Sequence, residues 1–233
     1  MNKQAVVELF FGEFSKLEVL ESWLDLSPSE KSRAAKFRQE KDQIAFTIVR
    51  SLLKRILSEK TGMEIQQVKF EQNNFGKLSF SQVPDLHFSL SHTDDAFVLA
   101  FSTAGAIGVD IESLNRKPSI EKLEDLLFTE NEIKGFRSLT DTMEKQRKFI
   151  DVWTKKEAIT KCLGLTLQQG MEGFELLENE TVFCRTLSNE QKNLSIKTLE
   201  INPYMISIAL NAPHQMDFQV STNYIHTSTT LLA

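Results

Sequence analysis

The apolar pairs Ile44/Ala45, Ile48/Val49, Leu52/Leu53 and Ile56/Leu57 recur every four residues. That spacing marks a helix, or a helix pair, which buries one stripe up to about Leu57. The start of this region is equally specific. Ser27-Pro28-Ser29-Glu30 offers a capping serine, a proline where the first helical turn tolerates one, and a glutamate three residues after the cap. The other faces carry Lys31, Arg33, Lys36, Arg38, Arg50, Lys54 and Arg55. This is a clustered basic surface in a chain whose net charge is −5.

The helical stripe needs apolar partners, and strand patterns lie on both sides of it. Ala5 to Phe14 is apolar and partly β-branched. After a turn at Asn73-Asn74-Phe75-Gly76-Lys77, strands are expected at Leu86 to Ser91, Ala96 to Ser102 and Ala106 to Ile111. From about Pro118 to Leu163 the pattern is helical, with Thr129 as a cap near Glu132 and a long segment from Asp141 through Trp153. Strands return at Phe174 to Leu177, Thr181 to Thr186, Leu194 to Glu200 and Met205 to Leu210. This order implies an α+β fold of two lobes of roughly a hundred residues each. The expected division is 1–104 and 105–223, with the join near Ser102-Thr103-Ala104-Gly105 and a polar, loosely ordered tail at 224–233.

Composition removes several function classes. No apolar run approaches the roughly 20 residues that span a bilayer. The opening MNKQAVVELFFGEF has acidic residues inside its apolar stretch, unlike a signal peptide. Cys162 and Cys184 are too few for a disulfide framework and lack a CxxC spacing. A cytoplasmic chain acting away from membranes is expected. The acidic balance also argues against nucleic acid as the main partner.

Three segments carry chemistry. In Gly108-Val109-Asp110-Ile111-Glu112, strand alternation sends Val109 and Ile111 to one side and both carboxylates to the other. Two acids on one face suit a hard cation such as magnesium, although the same pattern also describes a solvated strand face. On the long helix, Trp153, Glu157 and Lys161 share a face at i, i+4 spacing, which places a third carboxylate beside a basic head. Ser91-His92 ends a strand; neighbouring strand residues point apart and no G-x-S-x-G elbow surrounds the serine, which argues against a hydrolase triad. A serine and a histidine there suit an anion, with Lys77 near them.

In their order along the chain these segments resemble the motifs of the 4′-phosphopantetheinyl transferase superfamily. They are Gly76-Lys77, Phe88-Ser89-Leu90-Ser91-His92, Gly108 to Glu112, and Trp153 to Lys161 with Gly164. Arg33-Ala34-Ala35-Lys36-Phe37-Arg38 with Asp42 is similar to the N-terminal signature of the longer members, and the likeness covers roughly residues 25 to 175. The resemblance implies two similar α+β lobes packed as a pseudo-dimer, with coenzyme A in the cleft between them. It further implies a magnesium site (manganese being the alternative) at Asp110, Glu112 and Glu157. Gly76, Lys77, Ser91 and His92 would lie at the nucleotide end, with Lys156 and Lys161 facing the pyrophosphate. The acceptor would be a serine of an apo acyl or peptidyl carrier protein, and the enzyme a monomer by default. For the proton of that serine, Glu132, where the family has a glutamate ahead of the tryptophan helix, is preferred as the base, with Glu157 its rival and Lys161 stabilising the phosphoryl charge.

The sequence also departs from the family pattern. Gln43 and Ala45 stand where many relatives have arginines, and Lys31, Arg33 or Lys36 would have to compensate. Thr166 replaces a glycine common after the lysine of the long helix. Two other readings follow: a coenzyme A-binding homologue that does not transfer, and a metal-dependent phosphoesterase using the same carboxylates on water.

Overall fold

The structure is a computed structural model that describes residues 5–14, 19–73, 76–176, 182–184, 193–214 and 216–225. It is α+β and two-lobed, as expected. The first half runs β1 (Ala5–Glu13), α1 (Val19–Asp25), α2 (Pro28–Ala34), α3 (Glu40–Thr61), a short hairpin of β2 (Glu71–Gln72) and β3 (Leu78–Ser79), then β4 (His87–His92) and β5 (Ala96–Ser102). The second half runs β6 (Ala106–Ser113), α4 (Ile120–Leu127), α5 (Glu130–Ser138), α6 (Thr142–Leu163), α7 (Leu167–Gly173), β7 (Phe174–Leu176), β8 (Val182–Cys184), β9 (Leu194–Ile201), β10 (Tyr204–Asn211) and β11 (Phe218–Ile225). Among the described residues no helix is long and apolar enough to cross a membrane.

The layers follow from strand alternation. One sheet has the order β11-β1-β5-β4 and the other β6-β10-β9. On β5, Phe97, Leu99 and Phe101 pack against Ile48, Leu53, Ile56 and Leu57 of α3. Ala96, Val98 and Ala100 point the other way, into a core shared with Ile107, Val109 and Ile111 of β6 and Ile206, Ile208 and Leu210 of β10. The far face of the second sheet takes α6 through Ala158, Ile159 and Cys162. The chain is thus layered helix, sheet, sheet, helix, and each sheet buries both faces. At one edge of this stack the two sheets meet, where the Val109 amide donates to Ser89 Oγ at 3.0 Å.

Local caps stand where the sequence places them. Ser27 and Glu30 form the capping box that opens α2. Thr129 and Glu132 form that of α5, and Asp141 caps α6. The basic residues of α3 are largely engaged. Arg50 pairs with Glu30 at 2.9 Å, Arg55 reaches Asp25 Oδ2 at 2.6 Å, and the buried Lys54 ammonium donates to the Asp25 carbonyl at 2.6 Å.

One pairing departs from the expected division at 223. The strand β11 lies parallel to β1, with Ala5 opposite Phe218 and Gly12 opposite Ile225, so the end of the second segment completes the sheet of the first. Its inward residue, Phe218, is fully buried in the shared core. Tyr224 and Ile225, expected in a loose tail, belong to this strand. Residues 226–233 lie outside the described residues, as do 74, 75, 181, 185 and 186 of the expected turn and strand.

Candidate active site

The site begins with a close approach. Gly108 lies where α6 crosses β6, and a methyl group on it would overlap the Ala158 carbonyl oxygen and the Cys162 amide. A glycine lets the helix backbone rest on the strand, so residues on the adjoining turns of α6 come level with Asp110. Asp110 is 4% exposed. Its Oδ1 accepts from Ser91 Oγ at 2.8 Å and from Lys161 Nζ at 2.6 Å, and Lys161 Nζ also donates to Ser91 Oγ at 2.9 Å. A serine of β4, an aspartate of β6 and a lysine of α6 therefore close a triangle where the two sheets meet. The second oxygen, Asp110 Oδ2, is buried with no hydrogen-bond partner.

Glu112 and Glu157 flank this triangle. Burial lifts the Glu112 carboxyl to about 7; Arg116 opposes that rise, and the charges of Asp110 and Glu157 add to it. Glu112 pairs with Arg116 four residues on. Burial also raises the Glu157 carboxyl, with Lys161 opposing and Asp110 reinforcing the shift. Among the described residues no three His, Cys, Asp or Glu side chains converge into a ready metal cage, because Asp110 and Glu112 are directed at Lys161 and Arg116. The donor set still suits a hard divalent cation. It is all carboxylate, one buried oxygen is unpartnered, and burial, reinforced by the neighbouring negative charge, raises the Glu112 and Glu157 carboxyls.

Beside the triangle opens a cleft of about 340 Å³, lined by Gly76, Lys77 and Leu90 from the first half and by Glu157, Thr160 and Lys161 from the second. A second hollow of about 290 Å³ shares Gly76, Leu78 and Leu90 with it and continues to Arg33, Phe46, Arg50 and His92. The two adjoin at these shared residues as one groove, with Glu157 lining the first hollow and Arg33, Arg50 and Asp42 the second. Lys77 reaches across the groove and donates to the Cys162 carbonyl at 2.6 Å, in the last turn of α6. Burial lowers its ammonium below the usual lysine range. Gly164 ends α6 in the left-handed region at φ 66, and Asn73 and Lys77 of the β2–β3 hairpin lie against it.

Most of the expected site residues are brought together, but not all. Gly76, Lys77, Ser91, His92, Asp110, Glu112, Glu157 and Lys161 meet around the groove or the triangle at its floor. Arg33 lines the second hollow with its guanidinium 5.4 Å from the centre of the Phe46 ring. Lys31 and Lys36 are not among the lining residues of either hollow.

Glu132 and Lys156 line neither hollow. Lys156 is 0% exposed, and its ammonium donates to Glu132 Oε2 at 2.8 Å, to the Leu127 carbonyl at 2.6 Å and to the Met171 carbonyl at 3.3 Å. Glu132 Oε1 accepts from the Leu176 amide at 2.7 Å, and Oε2 also closes the α5 capping box. Both side chains are consumed inside the second lobe. The expectation that Lys156 faces a pyrophosphate and Glu132 takes a proton is corrected accordingly.

Sequence reasoning passed over Arg50, Phe46 and Phe70, which stack as a ladder. The Arg50 guanidinium is 5.3 Å from the Phe46 ring centre and 4.6 Å from that of Phe70. The i, i+4 spacing of Phe46 and Arg50 on α3 was the available signal; the contact with Phe70 depends on the fold.

Both halves of the chain match known proteins. Residues 15–104 match the family model described as "4′-phosphopantetheinyl transferase, N-terminal", and residues 106–209 match that of the "4′-phosphopantetheinyl transferase superfamily". The chain is 34% identical over 142 residues to the 4′-phosphopantetheinyl transferase HetI of a Nostoc species, covering 60% of each chain. It is 27% identical to the 4′-phosphopantetheinyl transferase psf-1 of Bacillus pumilus, over 81% of this chain and 80% of that protein. Likewise it is 24% identical to the 4′-phosphopantetheinyl transferase Sfp of Bacillus subtilis, over 81% and 83%. With two adjoining family matches spanning both lobes and the motif residues meeting at one groove, the chain belongs to the 4′-phosphopantetheinyl transferase superfamily of enzymes.

Proposed function

We infer that this protein moves the 4′-phosphopantetheine group of coenzyme A onto a serine of an apo acyl or peptidyl carrier protein, giving the holo carrier and 3′,5′-ADP. The observation that carries the reading is the Ser91–Asp110–Lys161 triangle, flanked by Glu112 and Glu157, at the floor of a groove lined from both lobes. The reading takes the chain as one cytoplasmic monomer of two lobes that join near 104–105, with β11 returning from the second segment to the sheet of the first.

In this mechanism the acceptor serine oxygen bonds to the β-phosphorus of coenzyme A. The bond that breaks joins that phosphorus to the oxygen bridging the two phosphates, and 3′,5′-ADP departs with the bridging oxygen. Lys161, 31% exposed at the groove, has a donor to spare for the phosphoryl oxygens as negative charge develops on them. Glu157 lines the cleft and, with its carboxyl raised by burial, takes the serine proton at a free carboxylate oxygen. It is preferred over Glu132, whose two oxygens are already bonded. Asp110, Glu112 and Glu157 would hold magnesium, or manganese, whose contribution is charge neutralisation on the pyrophosphate. Lys77, His92 and Arg33 lie along the groove toward the nucleotide end, and Arg33 stands beside the buried Ala45, where many relatives carry an arginine.

The test is an intact-mass assay of an apo carrier protein incubated with coenzyme A and magnesium. Gain of one phosphopantetheine that disappears on chelation is expected. An unmodified carrier across several unrelated carriers, with coenzyme A still bound in calorimetry, would instead favour a binding homologue that does not transfer. Release of phosphopantetheine without a carrier would point to a phosphoesterase.

A further inference from the structure

Nothing in the mechanism above uses Lys156 or Glu132, yet the sequence places Lys156 directly before Glu157 on α6. A fully buried ammonium is tolerated only when its donors are satisfied, and the bonds that satisfy this one tie α6 to neighbouring elements. Each of its three acceptors sits on a different part of the second lobe. Leu127 ends α4, Glu132 lies in the first turn of α5, and Met171 belongs to α7. Glu132 extends the link to the start of β7 through the Leu176 amide. The opposite side of the same helix is seated by other contacts. Gly108 meets the backbone at Ala158 and Cys162, and Thr154 Oγ1 lies 2.8 Å from Ser207 Oγ of β10.

We propose that the buried Lys156–Glu132 pair is a positioning clamp, which holds α6 in the rotation and height that put Glu157 and Lys161 beside Asp110. Consecutive helical residues project about 100° apart, so anchoring Lys156 toward α4, α5 and α7 presents Glu157 to the cleft. The sheet contacts at Gly108 and Ser207 restrain the helix on one side only. The clamp restrains it on the other. Lys156 and Glu132 are thus positioning residues for the proposed transferase; they do not touch coenzyme A or the serine.

The experiment compares wild type with Lys156→Met, Glu132→Leu and the double variant, in which no charge is left unpaired. Three quantities are measured: melting temperature, affinity for Mn²⁺ alone by electron paramagnetic resonance of the free ion, and kcat and KM for coenzyme A in the carrier assay. The double variant is expected to melt below wild type but to stay folded at assay temperature, since removing the buried pair whole leaves no orphan charge while the Leu176 and Thr129 amides lose their acceptor. It should nevertheless bind Mn²⁺ about tenfold more weakly or worse and lose kcat by a similar factor, as when groups that orient metal ligands are removed. KM for coenzyme A should move by less than about threefold, and the acid limb of the residual pH–rate profile should stay in place.

A double variant with wild-type Mn²⁺ affinity and kcat overturns the clamp, as does a raised KM with unchanged kcat, which would mean Lys156 contacts coenzyme A. Loss of the acid limb would make Glu132 the base and overturns it too, and so does a wild type with no Mn²⁺ affinity. The clamp rests on the transferase reading, but the Mn²⁺ comparison needs no turnover. A wild type that binds Mn²⁺ and transfers nothing would sink the transferase reading alone, while the metal comparison still decides the clamp.

Discussion

Lys161 Nζ lies 2.6 Å from Asp110 Oδ1, which ties the last turn of α6 to the middle of β6. Both groups also bond Ser91 Oγ, on a strand of the other sheet, so one ion pair joins helix, sheet and lobe junction. The relationship makes Lys161 both a structural and a chemical residue.

Lys161→Ala should therefore lower the rate of carrier modification by about a hundredfold, the scale of removing one electrostatic donor from a transition state. It should also cost about 2 kcal/mol of stability, because Asp110 stays buried without its partner. Lys155→Ala is the control. Lys155 pairs with Asp151 at 2.7 Å, one turn away on the same helix, and its loss should change stability by only about 0.5 kcal/mol. Steady-state kinetics and thermal melts on the same samples check both.

Glu157→Ala or Asp110→Ala should reduce transfer by at least about a hundredfold, as expected when several kcal/mol of charge stabilisation is removed. Near-normal rates in a variant with wild-type circular dichroism would show that the reacting groups lie elsewhere. Glu157→Gln separates two roles. It keeps the shape but not the proton acceptor, so its acid limb in the pH–rate profile should vanish while coenzyme A still binds.

Gly108→Ala tests the seat of the helix. The added methyl overlaps backbone atoms of Ala158 and Cys162, and backbone cannot rotate away as a side chain can. A loss of about 1–3 kcal/mol is expected, with α6 displaced outward. Activity should fall more than the fraction of unfolded protein explains, because Lys161 moves with the helix. Comparison of chemical denaturation midpoints with kcat/KM measures the two effects separately.

Protonation of Glu112 supplies a pH signature for the metal-free protein. Its carboxyl titrates at about 7 when folded, against an ordinary value of 4.5, chiefly through burial. Between those values the folded chain holds the extra proton. The stabilisation is complete below about pH 4.5 and fades as pH rises through about 7. In chelator, Glu112→Gln should thus gain stability relative to wild type as pH is raised from 5 to 8, by on the order of 2 kcal/mol. Melting temperatures across that range decide it; a constant difference would show that Glu112 does not titrate there.

Much of the secondary structure was readable one segment at a time. Ser27 with Glu30, Thr129 with Glu132, and Asp141 announce their helices because a cap satisfies amides two or three residues away. The strand at 106–113 announces its buried and acidic faces because alternation is a property of the strand alone. The i, i+4 spacing of Glu157 and Lys161 set both toward one side of α6 in the same way.

What lay beyond the sequence involves partners distant along the chain. The parallel pairing of β11 with β1 joins residues more than 200 apart, and the polar alternation of 218–225 does not reveal which sheet will take it. Arg50, Lys54 and Arg55 read as a free basic surface, yet carboxylates of α1 and α2 claim Arg50 and Arg55 and a backbone carbonyl of α1 takes Lys54. Lys156 and Glu132 belong to motif segments and read as site residues, yet the packing of α4, α5 and α7 turns them into the interior. Sequence by itself determined which residues carry charge and on which face of its own element each stands, because short-range geometry settles that. Only the tertiary structure decided which charges meet each other and which are left for a ligand, because a buried charge is directed by whatever partner desolvates with it.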